Sequence, residues 1–259
     1  MSRSFEQCVD EAAAADVSGW DFSWLDGRAT EERPPWGYAG LMAGRLAGAA
    51  ASLDLQTGGG EVLAEAPRLP PLAAATEAWP PNAARATRLL HPRGVVVVAH
   101  DDESPLPFAD AAFDLVTSRH PVSARWAQIA RVLRPGGTYL SQEVGPDSVF
   151  GLAEYFLGPQ PEEARMSRRS DLAADEAREA GLEVIDLRDA RLRMEFRDIG
   201  AVIYFLRKVI WIVPGFEVDK YLPRLRELHE RIEADGPFVD HSARFLIECR
   251  KPGGTDRGT

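Results

Sequence analysis

Ser52-Leu53-Asp54-Leu55-Gln56-Thr57-Gly58-Gly59-Gly60-Glu61 decides how the rest of the chain is read. An apolar run typical of a buried strand ends in a glycine cluster, and a helical pattern opens immediately after it. Glycines at such a bend admit positive φ and let a ligand approach the backbone closely. In doubly wound sheets this bend lies at the carboxyl end of the first strand, where ligands bind. A phosphate loop requires G-x-x-x-x-G-K-S/T, and no lysine follows here. A dinucleotide loop requires G-x-G-x-x-G/A, and counting from Gly58 the last position is Leu63. The remaining reading is a nucleoside-binding turn led by an acid, Asp54, which suits a ligand carrying an ammonium group.

Working outward, apolar runs alternate with helical patterns. Strands are expected at Ser52–Thr57, Leu72–Glu77, Val95–Ala99, Phe113–Ser118, Thr138–Val144, Leu182–Ala190 and Ala243–Lys251. Helices are expected at Gly60–Ala66, Asn82–Leu90, Ala124–Leu133 and Asp171–Ala180, the last capped by Ser170 and ended by Gly181. Unbroken β-branched runs such as Val95-Val96-Val97-Val98 suit strands covered on both faces. The alternation predicts an α/β, doubly wound, Rossmann-like parallel sheet. Pro135, with Gly136 and Gly137, marks a turn from a helix into the next strand.

Strand ends carry the chemistry. The second ends in Thr76-Glu77, and a carboxylate there can accept both hydroxyls of a ribose. The third ends in His100-Asp101-Asp102, where an acid can accept from an adenine amino group. Three consecutive acidic strand ends beside a glycine cluster are more than helix-cap statistics supply.

The ordered set resembles the class I S-adenosylmethionine-dependent methyltransferases, in their broad small-molecule (type 11-like) group. It comprises Leu53 to Gly60, Ala75-Thr76-Glu77, Asp102 to Phe108, Ala112 to Ser118 and Arg131 to Gly137, in order over residues 50–145. The resemblance implies a seven-stranded sheet with its last strand antiparallel, and S-adenosylmethionine as cofactor with S-adenosylhomocysteine as product. It assigns Asp54, Gln56, Thr57, Gly58 and Gly60 to the methionine part of that cofactor, Glu77 to the ribose, Asp102 and Glu103 to the adenine, and adds Ser118. The family has glycine where this chain has Gln56. That side chain either crowds or hydrogen-bonds the cofactor's carboxypropyl arm, or it faces outward. The implied activity is methyl transfer to a small-molecule acceptor by in-line displacement, with an rRNA base methyltransferase or a non-catalytic cofactor-binding module as the alternatives.

Methyl transfer from a sulfonium needs chiefly alignment; a base helps where the acceptor must lose a proton. His120, after the fourth strand, is the candidate base, with Glu143 and Tyr204 behind it. Trp36, Tyr38 and His241 are candidates for binding substrate; Trp20 and Trp24 read rather as anchors. His100 reads as structural, and His91 and His229 as exposed. Residues 1–48 form a helical lid, 49–252 the core with a helical insertion at about 198–240, and 253–259 a disordered tail. The Ile199–Val213 helix is a candidate lid or homodimer interface.

Composition narrows the partners. Of the 259 residues, 45% are hydrophobic, enough for a real core, and the formal charge of -10 repels phosphate backbones, so nucleic acid is disfavoured. The two cysteines, Cys8 and Cys249, form neither a zinc motif nor a disulfide framework, which suits a cytoplasmic protein without a metal. No run reaches the roughly 20 apolar residues of a membrane span.

Overall fold

The computed structural model describes residues 3–17 and 21–253. Trp20, and the expected tail apart from Gly253, lie outside the described residues. In chain order the strands are β1 (Ala29–Glu31), β2 (Ala51–Leu55), β3 (Leu72–Glu77), β4 (Val95–Ala99), β5 (Phe113–Arg119), β6 (Leu133–Val144), β7 (Glu183–Phe196) and β8 (Phe238–Arg250). The helices are α1 (Phe5–Ala14), α2 (Tyr38–Gly48), α3 (Glu61–Ala64), α4 (Pro80–Leu90), α5 (Trp126–Val132), α6 (Phe150–Leu157), α7 (Glu162–Arg165), α8 (Ser170–Glu179), α9 (Ile199–Lys208) and α10 (Val218–Asp235).

One sheet runs in the order β1-β7-β8-β6-β5-β2-β3-β4. It is parallel from β6 through β5, β2 and β3 to β4, and β8 runs antiparallel to β6. The fold class and the antiparallel last strand are as expected from the sequence. The strand count is eight rather than seven, because Ala29–Glu31 adds an antiparallel strand against Met194–Phe196. A three-residue strand with polar neighbours carries no periodicity to read.

The chain forms two compact units, and β7 and β8 contribute residues to both. One comprises residues Pro34–Gly145, Arg168–Ala190 and those from Arg244 onward. It holds the parallel strands and two apolar clusters. One cluster gathers Leu53, Val116, Ile129, Tyr139 and Ile247; the other gathers Met42, Leu46, Leu90, Leu115 and Leu140. The starts of β2, β5 and β6 are tied by Asp114, which accepts from the backbone N–H groups of Ala50 (3.0 Å) and Ala51 (2.8 Å) and from Arg134 Nη1 (2.9 Å). Strand β6 begins at Leu133 and takes in the Pro135-Gly136-Gly137 turn, with a register shift against β5. A side chain on Gly137 would meet the Arg134 and Asp114 carbonyls at 2.9 and 3.0 Å, so only glycine lets the strands close there. Helix α8 begins one residue earlier than expected, at Ser170 itself; Arg169 holds the N-cap position without a side-chain capping bond, and the Ser170 hydroxyl donates to Asp189 Oδ2 (3.0 Å).

The other unit comprises the residues up to Arg33, Pro146–Ser167 and Arg191–Ala243. Its core is built around α9, nine of whose ten residues are buried. Asp198 starts this helix by accepting from the Ala201 N–H at 2.9 Å, and Arg207 and Lys208 favour its C-terminal dipole. Ile199, Val202, Ile203 and Leu206 pack with Phe5, Cys8, Leu152, Phe196 and Leu225. The Ile199–Lys208 part of the segment read as a lid or homodimer interface is buried inside its own unit, whereas Ile210 and Trp211 beyond the helix are exposed. Trp24 stacks on Tyr204 at 4.7 Å with Arg28 above it at 4.1 Å, the anchoring role read for it in the sequence.

The glycine bend offers a stability test. Gly60, at φ +83°, precedes α3, and a Cβ there would meet Leu90 Cδ1 at 2.7 Å and Cγ at 2.9 Å. Gly60→Ala is expected to cost about 2 kcal/mol, mostly left-handed strain, with the Leu90 contact adding to it. Chemical denaturation monitored by circular dichroism measures this; a change below about 0.5 kcal/mol would contradict it.

Candidate active site

The parallel strands end at one edge, and the acids named above are grouped there. Gln56 follows β2 at φ +53°, Gly58 is at +63° and Gly60 at +83°, so the bend is left-handed at three points. Glu77, at the tip of β3, accepts from the backbone N–H of Gly58 (2.8 Å) and of Trp79 (2.9 Å). It therefore pins the glycine turn and retains lone pairs for a further donor. Asp54 is buried and accepts from Thr117 Oγ1 at 2.6 Å. Burial pushes its pKa up from 3.8 to about 6, against the Thr117 and Thr57 hydroxyls, which favour the carboxylate. Burial likewise raises the Glu77 and Asp102 carboxyls.

A cleft runs along these tips, with an open volume of about 360 Å³ including its mouth. His100, Asp102, Leu106, Arg125 and Ile129 line it, as do Leu55, Gln56, Ser118 and Tyr139. Arg125 Nη1 donates to the carbonyls of Asp102 (3.0 Å) and Ser104, which holds the β4–β5 loop against the start of α5. The His100 ring lies 3.2 Å from the Ser104 carbonyl, a structural contact as expected. Tyr139 is fully buried, and its hydroxyl has no partner among the described residues.

Gln56 does not face outward into solvent. Its Oε1 accepts from the Val122 N–H at 2.6 Å and its Nε2 donates to the Ser123 carbonyl at 3.1 Å. The side chain thus ties the end of β2 to the loop after β5. A left-handed glutamine costs about 1–2 kcal/mol, and two net hydrogen bonds return about that much.

Of the other predicted residues, Ser118 is buried, lines the cleft and donates through Oγ to the Leu55 carbonyl at 3.0 Å. Thr57 donates its N–H to the Thr76 carbonyl at 2.9 Å. Glu103 is exposed and does not line the cleft; its N–H is taken by Asp101 Oδ1 at 3.0 Å. Trp36 and Tyr38 are buried, with Trp36 Nε1 donating to Gln142 Oε1 (2.8 Å) and the Tyr38 hydroxyl to the Ser118 carbonyl (2.7 Å). Their polar ends are committed to strand ends β5 and β6. His241 belongs to the other unit, where its carbonyl accepts from the Val149 N–H at 2.8 Å. Tyr204, also in that unit, donates to the Asp21 carbonyl at 3.1 Å, and His229 is half-buried against the Phe5 ring at 5.6 Å rather than exposed.

His120 is the residue whose chemistry the structure changes most. It sits at φ +54°, and its Nε2 lies 2.9 Å from Gln142 Nε2. Because Trp36 donates to Gln142 Oε1, the Gln142 amide must present its N–H to His120. The Nε2 lone pair is then occupied and the ring proton sits on Nδ1. Burial, with Arg244, Arg119 and Arg168 nearby, pushes the imidazole well below its usual pKa. A ring so held is a neutral donor and has no free lone pair for a base. Nitrogen-15 NMR is expected to show His120 neutral and Nδ1-protonated from pH 8 down to pH 5.5. A titration near 6.5 would refute this. Gln142 and Tyr139 were not legible as site residues; a polar side chain at a strand end was the available signal for Gln142, whereas Tyr139 reads as core.

The profile of a methyltransferase domain matches residues 53–141, the span from β2 into β6. This span is a methyltransferase domain. Its fold is that of the class I S-adenosylmethionine-dependent methyltransferases. No curated protein matches the sequence significantly. Among solved structures, the YcgJ protein of Bacillus subtilis is 18% identical at a TM-score of 0.57, over 84% of this chain and 99% of that one. The [4+2]-cyclase SpnF is 20% identical at 0.53, over 83% of this chain and 80% of that one. Phosphoethanolamine N-methyltransferase 2 of Haemonchus contortus, solved with phosphomonomethylethanolamine and S-adenosylhomocysteine, is 18% identical at 0.52, over 97% of this chain and 61% of that one. Among the described residues, no helix is long and apolar enough to cross a membrane, and no cluster of three or more His, Cys, Asp or Glu side chains is placed to hold a metal ion.

Proposed function

We propose that this methyltransferase moves a methyl group from S-adenosylmethionine to a small-molecule acceptor in the cytoplasm. The observation that carries the reading is the grouping of Asp54, Glu77 and Asp102 with the glycine bend at one edge of the sheet, beside a cleft that Asp102 lines. The cleft residues fit an adenosyl cofactor. Asp102, with Leu106, Ala124 and Ile129, offers a carboxylate between apolar walls to an adenine. Glu77 keeps acceptor capacity for ribose hydroxyls, and Asp54 is a carboxylate at the bend for an ammonium.

S-adenosylmethionine, when bound, supplies a methyl group already activated on a sulfonium. The chain's own contribution is then to hold and orient, which can lower a barrier by about 7–11 kcal/mol where alignment is good. Where an acceptor must lose a proton, Glu143 near the end of β6 is the candidate base that remains once His120 is neutral and bonded. Burial pushes Glu143 up to about 7, and its buried Oε1 has no partner among the described residues. A base with a pKa near the working pH contributes about 10²–10⁴ in rate. The acidic charge supports a small molecule over RNA.

Isothermal titration with S-adenosylhomocysteine, followed by a methyl-transfer screen of small amines, phenols, carboxylates and thiols, tests the reading. Cofactor binding and transfer to a member of the panel are expected. The absence of binding at millimolar ligand would refute it; binding without transfer would favour a non-catalytic module.

A further inference from the structure

The Gln56 side chain stands where the family carries no side chain, and it is bonded across the cleft. We propose that Gln56 is a specificity-determining latch that holds the β5–α5 loop over the amino-acid end of the adenosyl site, so that the arm of the ligand binds only when the latch is released. The inference rests on the adenosyl reading of the cleft.

On that reading the nucleoside lies over the tips of β3 and β4, at Glu77 and Asp102. The strand order β5-β2-β3-β4 then sends the amino-acid arm, whose ammonium Asp54 is placed to receive, toward the tips of β2 and β5. This is the place Gln56 bridges. Its amide pairs with Val122 N–H and Ser123 C=O as a neighbouring strand's peptide group would, with one bond accepted and one donated. Ser118, Pro121 and Ser123 line the same cleft as Gln56. The loop is anchored at its start by the buried Pro121 and by the His120 N–H on the Gln142 carbonyl (2.7 Å), but the Val122 side chain is 78% exposed, so at Val122–Ser123 the Gln56 amide is the fastening that the β2 end supplies. Gln56 also sits at φ +53°, a conformation glycine adopts freely. The chain keeps a strained glutamine there, and the two loop bonds are what the side chain gains.

A latch of this kind makes the apparent affinity for the complete cofactor lower than its intrinsic value by the fraction of molecules with the loop released. It leaves a nucleoside without the arm unaffected. The test is isothermal titration of S-adenosylhomocysteine and of 5′-deoxyadenosine into the wild type, Gln56→Gly and Gln56→Ala. Alanine keeps a side chain at the positive φ and removes the amide, so it separates the latch from relief of backbone strain. Hydrogen exchange at the Val122 amide reads the loop directly in the same three proteins.

In both variants S-adenosylhomocysteine is expected to bind at least tenfold more tightly than in the wild type. The 5′-deoxyadenosine affinity should change by less than twofold, and Val122 exchange should accelerate. Unchanged or weaker S-adenosylhomocysteine binding in the variants, with 5′-deoxyadenosine still bound, overturns the latch and leaves the adenosyl reading intact. Tightening in Gln56→Gly alone also overturns it, by assigning the effect to the backbone. If neither ligand binds any of the three proteins, the adenosyl reading itself fails and the latch fails with it.

Discussion

Glu77→Ala is expected to weaken S-adenosylhomocysteine binding by about 10²-fold or more. The carboxylate is buried at the tip of β3 and already fastens the Gly58 and Trp79 amides at 2.8 and 2.9 Å. In the proposed site it also receives the two ribose hydroxyls. Hydrogen bonds to a charged group are worth about 1.5–3 kcal/mol each, so two at the low end already amount to a hundredfold. Alanine removes these bonds and also leaves the Gly58 N–H without its acceptor, loosening the turn the ligand rests on. Glu77→Gln should fall between alanine and the wild type, because one side of its amide presents N–H groups where an acceptor is needed. Titration calorimetry measures the loss, with far-ultraviolet circular dichroism and a melting curve showing that the fold persists. An affinity within threefold of wild type for a folded Glu77→Ala protein would remove Glu77 from the site.

Asp54→Asn is expected to stabilise the ligand-free protein at pH 8 and to weaken its hold on the cofactor. Burial raises the Asp54 carboxyl from 3.8 to about 6. A group whose pKa is higher in the folded than in the unfolded state favours folding when protonated. Its stabilising effect is complete below about pH 4 and is lost as pH rises through about 6. Above that, the buried carboxylate costs up to about 3 kcal/mol relative to the neutral form. Asparagine is neutral throughout and can still accept from Thr117 Oγ1. The gain over wild type should therefore be largest at pH 8, shrink near pH 6 and disappear at pH 4. Urea denaturation at these three pH values reads the difference. A variant less stable than wild type at pH 8 would show that Asp54 contributes structurally as an anion. In the proposed site the same substitution removes the charge that would face the ligand's ammonium, so stability and binding are expected to move in opposite directions, as at sites where function is held at a cost in stability.

The parallel core was legible because its signals are local. Val95–Ala99 and Leu72–Glu77 are strands at the bounds their apolar runs indicate. The acids at strand ends could be grouped because the alternation of strands and helices brings every parallel strand tip to one edge. The edge strand Ala29–Glu31 was not legible, since three half-exposed residues become a strand only by pairing with Met194–Phe196. The Ile199–Lys208 helix was seen as apolar, but its periodicity could not say whether its own unit or a second copy would cover it. Burial against Phe5, Leu152 and Leu225 shows that its own unit does.

The order of residues along the chain determined the glycine bend and the acidic strand ends, because each depends on neighbours within a few positions. The tertiary structure alone decided what two of those residues do. His120 loses its basic lone pair to Gln142, which Trp36 orients from 106 residues away in the chain. Gln56 finds Val122 and Ser123, 66 and 67 residues onward, and becomes a fastening. A hydrogen bond depends on positions accurate to a few tenths of an ångström, and such precision between distant segments exists only once the sheet has set its register.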